Sequence, residues 1–196
     1  MKALMSGKQR KKSQLGFTLV ELMIAIAVSA MLMFGSMQLL SHMVVTSAQN
    51  RANTMAMLQV QYVGFWITED VVQARPDGVT LGGAQGFPLI IDWTEWDGDE
   101  NQVIYDKLPV EGEETCKLSR EHSLKKKGES VFISYGMALV GESLDPAGTS
   151  CEWVTGGNVT DVLKLDVTAV GDPYATDPAK RHEVSRTYEI NPRSTR

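Results

Sequence analysis

Two cysteines in 196 residues are too few for a disulfide-rich scaffold or a four-cysteine zinc site. Three histidines, His42, His122 and His182, lie far apart in the chain. There is no Gly-x-Ser-x-Gly, no phosphate-binding Gly-x-x-x-x-Gly-Lys, no His-Glu-x-x-His and no Cys-x-x-Cys, so common hydrolase, nucleotide, zinc-protease and redox chemistries lack their usual carriers. Gly82-Gly83-Ala84-Gln85-Gly86 has no strand–turn–helix setting and reads as a turn. Net charge is −5, so the excess of basic charge expected of a nucleic-acid binder is missing. No repeat or low-complexity tract is visible. Charged residues at 22% and apolar residues at 43% are those of a folded chain of one ordinary domain, or one small domain with an appendage.

The charge that is present is unevenly placed. Residues 1–16 hold Lys2, Lys8, Arg10, Lys11 and Lys12 and no acid, which leaves 14 of the 19 Lys+Arg against all 24 Asp+Glu for the rest. Phe17–Phe34 follows as an apolar run whose one charge is Glu21, and apolar residues return at Leu39, Leu40, Met43, Val44 and Val45. As a helix, Phe17–Ser36 spans about 30 Å, one hydrocarbon thickness. Basic residues before the run favour a cytoplasmic N-terminus, with the rest of the chain outside. A secretory signal peptide would find a formal cleavage site at Ala25-Ile26-Ala27, but Glu21 would interrupt its core. A plain anchor has no use for Glu21, which costs about 2.5–3.5 kcal/mol to insert.

Lys11-Lys12-Ser13-Gln14-Leu15-Gly16-Phe17-Thr18-Leu19-Val20-Glu21-Leu22 resembles the type IV prepilin signature: a basic leader, a glycine, then Phe-Thr-Leu-x-Glu opening an apolar helix. The resemblance implies cleavage between Gly16 and Phe17 by a membrane prepilin peptidase, N-methylation of Phe17, and an assembly role for Glu21. Cleavage would create a cationic amine on Phe17. Glu21 lies one helical turn along, where it can pair with that amine or with a neighbouring subunit's. In low dielectric, losing one member leaves an uncompensated charge.

Between Thr46 and Gln73 there is no proline. Met55, Leu58, Tyr62, Phe65 and Val72 form one apolar stripe at helical spacing; Val60, Val63, Ile67 and Val71 form a second. Two stripes predict broad burial across a sheet, with Arg75-Pro76-Asp77-Gly78 ending the helix. A helix from about Phe17 to Ala74 would be roughly 85 Å long. Strands are expected at 87–93, 101–108, 116–124, 159–170 and 184–190, with loops at 129–150 and 171–181. Strands in succession imply an antiparallel sheet, hence an α+β class. The prepilin resemblance implies a lollipop: a cleaved leader 1–16, a membrane or filament-core half-helix 17–45, an amphipathic half 46–75, and an extracytoplasmic antiparallel head 76–196.

The order Phe65-Trp66-Ile67-x-x-Asp70, Val103-Ile104-Tyr105, Leu118-x-Arg120 resembles the branch holding the type II secretion minor pseudopilin J and the type IV minor pilin W. A minor pilin or pseudopilin is thus the leading reading, a structural subunit and not an enzyme. Its partners would be other pilins, the prepilin peptidase and the inner-membrane assembly platform, with no nucleic acid bound by the subunit alone. A membrane-anchored binding module that does not polymerise is the alternative. Some pseudopilins use calcium, and Asp92, Asp97 and Asp99 lie in an acidic loop, Thr94–Glu100 with its flank, that lacks EF-hand spacing. A solvated hairpin is the simpler reading, as a solvated turn is for Lys125–Lys127, and no cofactor is required. An exported head would favour a Cys116–Cys151 disulfide, worth about 3–4 kcal/mol for a loop of about 35 residues.

Overall fold

The computed structural model describes residues 17–83, 85–154, 162–172 and 181–193. One α-helix, α1, runs Leu19–Gln73. Eight strands follow: β1 Val79–Gly82, β2 Gly86–Thr94, β3 Glu100–Pro109, β4 Cys116–Lys125, β5 Ile133–Leu144, β6 Ser150–Val154, β7 Val162–Val170 and β8 Glu183–Ile190. The class is α+β, with an antiparallel sheet packed on α1.

The chain divides into two compact units, 1–46 and 47–196. In the first, the described residues are helical from Leu19, and every one is exposed, including Phe17, Ile24, Met31, Phe34 and Leu40. Apolar on all sides and buried nowhere, this stretch has the surface of a helix meant for lipid or for other helices.

In the second unit, α1 packs by one stripe. Ala56, Val60, Val63, Ile67 and Val71 are at most 1% exposed. They meet Leu89, Ile91, Val103, Tyr105, Leu118 and Leu165, all buried, which alternate along their strands as a one-sided sheet requires. The expected broad burial is corrected: Met55, Leu58, Tyr62, Phe65 and Val72 stay about half exposed, because a single sheet offers the helix only one face. Gly64 lies where Tyr188 crosses; a Cβ there would sit 2.1 Å from the ring, whose hydroxyl donates to the Val60 carbonyl. The helix stops as expected, at a single 3-10 turn over Pro76–Gly78.

The sheet order is β1-β2-β3-β4-β5-β7-β6, with β8 on the other side of β7. All pairings are antiparallel. The expected loop at 129–150 is a second correction, since it holds β5 and the first residue of β6. β5 pairs with β4 through repeated register shifts, one between His122 and Ser123, which hide its alternation. The rest of the expected 171–181 loop beyond Asp172 lies, apart from Arg181, outside the described residues, as do 159–161 of the expected strand 159–170.

Candidate functional site

At the N-terminal motif, Gly16 lies outside the described residues; Phe17 is exposed and Thr18 immediately precedes α1. The Thr18 backbone N–H donates to Glu21 Oε2 at 3.3 Å, and the Glu21 N–H donates to Thr18 Oγ1 at 3.3 Å. The Thr18 hydroxyl also reaches Glu21 Oε2 at 3.2 Å. This reciprocal pair is a capping box, Thr-x-x-Glu, satisfying two of the donors a helix start leaves open. The signal stood in the sequence beside the prepilin motif, within the same four residues, and gives Glu21 a helix-starting role in addition to any pairing with an amine. The helix it opens is the one among the described residues long and apolar enough to cross a membrane.

The head brings together three residues that lie far apart in sequence. Arg120 of β4 donates Nε to Asp70 Oδ2 and Nη2 to Asp70 Oδ1, both at 2.8 Å, a bidentate pair. Tyr105 of β3 donates its hydroxyl to the same Oδ2 at 2.5 Å. The guanidinium lies over the Trp66 ring, 4.9 Å from its centroid. Asp70 is buried, and its two oxygens take three charge-assisted bonds, which offsets desolvation. Burial and the Asp70 charge push the Tyr105 phenol well above its usual range, and the bonds to Asp70 hold Arg120 cationic. The group fastens helix to sheet.

The carboxylates of the acidic hairpin are taken up by nearby donors. Asp92 Oδ1 accepts from Gln102 at 3.0 Å, Asp97 Oδ1 from the Asp99 N–H at 3.1 Å, and Asp99 Oδ1 from the Lys127 N–H at 2.9 Å. Among the described residues no three acidic, histidine or cysteine side chains are grouped to hold a metal. Trp96 at the tip is 95% exposed. Lys125 pairs with Glu100 at 2.6 Å.

Cys116 and Cys151 are both buried and both free thiols. Burial pushes Cys116 up and Cys151 up to about 12, against the pull of Lys107. The Lys107 ammonium donates to Gln85 Oε1 at 2.8 Å, to the Pro146 carbonyl at 3.0 Å and to the Thr149 carbonyl. His122 is stacked between Trp93 and Tyr135, and burial lowers its pKa. The structure does not gather the histidines: His42 is exposed on α1, and His182 lies just before β8.

Residues 11–37 match the family model for the prokaryotic N-terminal methylation motif. The match supports a type IV prepilin-like chain and indicates a structural, pilin-type subunit, with other pilins and the prepilin peptidase as its general partners. No curated protein and no solved structure matches the chain.

Proposed function

We propose that this chain is a minor pilin or pseudopilin of a type IV pilus or type II secretion filament, acting in the complex that starts or tips the filament. The observation that carries the reading is the sequence register of Gly16-Phe17-Thr18-Leu19-Val20-Glu21, with Thr18 and Glu21 capping the start of an apolar helix at Leu19 and residues 17–46 exposed throughout. In this reading residues 1–16 are a leader removed between Gly16 and Phe17, and Phe17 is N-methylated. Residues 17–45 anchor the chain once through the cytoplasmic membrane with the N-terminus inside, and pack among sibling helices when the assembly platform lifts the subunit. Residues 46–75 and 76–196 form the exported part, periplasmic or extracellular. The stripe Met55, Leu58, Tyr62, Phe65 and Val72, left exposed by the sheet, fits contact with siblings. The Asp70–Tyr105–Arg120 group supports likeness to the branch of minor pseudopilin J and minor pilin W, because the three spaced residues that suggested it converge in space. Oxidation of Cys116 and Cys151 to a disulfide after export belongs to the same reading.

Intact-mass measurement of membrane-extracted protein tests it. The expected chain begins at Phe17 and carries one extra methyl group. A start at Val28, or an uncleaved chain in a host with active prepilin peptidase, overturns it. A chain that is cleaved but never co-purifies with sibling pilins would favour the non-polymerising binding module.

A further inference from the structure

An antiparallel sheet that does not close leaves rows of unpaired backbone groups, and folded proteins disarm them with charge, brevity or cover. Among the described residues, three of the outer edges here are treated in that way. β1 has four residues. β8 carries Glu183, Arg186 and Glu189, and its Tyr188 is tied to α1. The far side of β6 meets the start of β2, where the Cys151 N–H donates to the Gln85 carbonyl at 2.9 Å.

The outer edge of β5 is different. It touches β7 only at Leu144↔Ala169, and Gln59 of α1 accepts from the Ser143 N–H at 3.0 Å and, more weakly, from the Glu142 N–H at 3.4 Å. From Ile133 to Gly141 no described strand pairs with it. Residues 131–141 contain no charge and no proline. Ile133, Tyr135, Met137 and Leu139 are between 44% and 66% exposed. Register shifts flank a regular run, Leu139, Ala138, Met137 and Gly136 opposite Ser119, Arg120, Glu121 and His122, and set Tyr135 outside the ladder.

Geometry explains why α1 does not cover this edge. Gln59 meets residues 142–143, Val63 lies against Gly141, and Asp70 meets Arg120, the ladder partner of Ala138. Within the head, β5 thus runs opposite to α1. The helix ends about 5 Å past Asp70, whereas Ile133 lies about 16 Å past Ala138. The sheet outruns its helix.

We infer that the Gly136–Leu139 edge of β5 receives a short extended strand of a different subunit, adding antiparallel to the sheet. Backbone bonds would hold it, with Met137 and Leu139 gripping one face and Ile133 and Tyr135 the other. A second copy fits less well. Antiparallel β5–β5 pairing is a two-fold arrangement that points the Ser47 ends of the two heads in opposite directions, while both chains enter from one membrane; this choice of occupant rests on the function proposed above.

The test is a photo-crosslinking amino acid placed at Met137, and separately at Leu139, in the full chain in its native membrane with sibling subunits present. Adducts are mapped by mass spectrometry, with a probe at exposed Glu152 as control. Moving the probe two residues along β5 is expected to move the adduct two residues the opposite way along one partner segment, the signature of antiparallel strands. Met137→Lys is expected to cut the Leu139 adduct at least about tenfold. Adducts on a second copy, a shift of three or four residues as on a helix, or no adduct above the Glu152 control overturns the inference. If Glu21→Ala abolishes sibling recovery but the adducts do not step by two, the filament reading stands and the β5 edge falls. If siblings never co-purify but the step of two appears on another protein, the reverse holds.

Discussion

Glu21 carries two jobs that single substitutions separate. It closes the capping box with Thr18, and in the proposed function it meets a methylated amine on Phe17. Thr18→Ala removes much of the cap, worth about 1 kcal/mol, and leaves the carboxylate. Glu21→Ala removes both. If amine pairing drives assembly, Thr18→Ala chains co-purify with siblings as wild type does, and Glu21→Ala chains are inserted and cleaved but left out. Equal loss in both would assign Glu21 to the helix start. The buried pair in the head behaves differently. Arg120→Ala strands a buried Asp70 carboxylate and is expected to cost about 3–5 kcal/mol in urea unfolding of the detergent-solubilised chain. Replacing both members together, Asp70→Leu with Arg120→Met, is expected to recover most of that loss.

At the scale of elements, the docking of α1 is the joint to probe. Gly64→Ala drives a methyl group into the Tyr188 ring and threatens its bond to the Val60 carbonyl, with an expected cost of about 1–3 kcal/mol. Adding Tyr188→Ser should relieve the clash, so the two changes should be far from additive in a double-mutant cycle. The helix and its end were legible in sequence because 3.6-residue periodicity and Arg75-Pro76-Asp77-Gly78 are local signals. The hairpin of β2 and β3 was legible for the same reason. β5 was not: register shifts break its alternation, and Ile133, Tyr135, Met137 and Leu139 face solvent, so the period-2 rule has little to detect. The Asp70–Tyr105–Arg120 group was visible as three spaced residues but not as one site, because only tertiary pairing joins positions separated by 35 and 50 residues. The broad burial expected of α1 failed because periodicity identifies apolar stripes but does not reveal how many faces have a partner.

For the whole molecule, pH is an informative variable. The Tyr105 phenol ionises less readily in the fold than in the open chain, so its contribution is fully present below its ordinary pKa near 10 and is lost as pH rises beyond it. Cys116 and Cys151, raised by burial, act with the same sign from the ordinary thiol range upward. The urea midpoint of the head is therefore expected to fall between about pH 8.5 and 11, and less steeply in Tyr105→Phe. A flat profile in the wild type would contradict these shifts. Reduced chain should also react with iodoacetamide slowly at pH 8 and rapidly in urea, since both thiols are buried and un-ionised in the fold.

The order of strands in the sheet has a consequence for biogenesis. From β1 to β5 each strand lies beside its predecessor in the chain, so a head emerging residue by residue finds every ladder partner already made. The pattern changes after Leu144: β6 gains its ladder only once β7, which pairs with both β5 and β6, has been made. Translation arrested before Val162 would therefore leave a five-strand meander with Ser150–Val154 waiting on the unwritten part of the message.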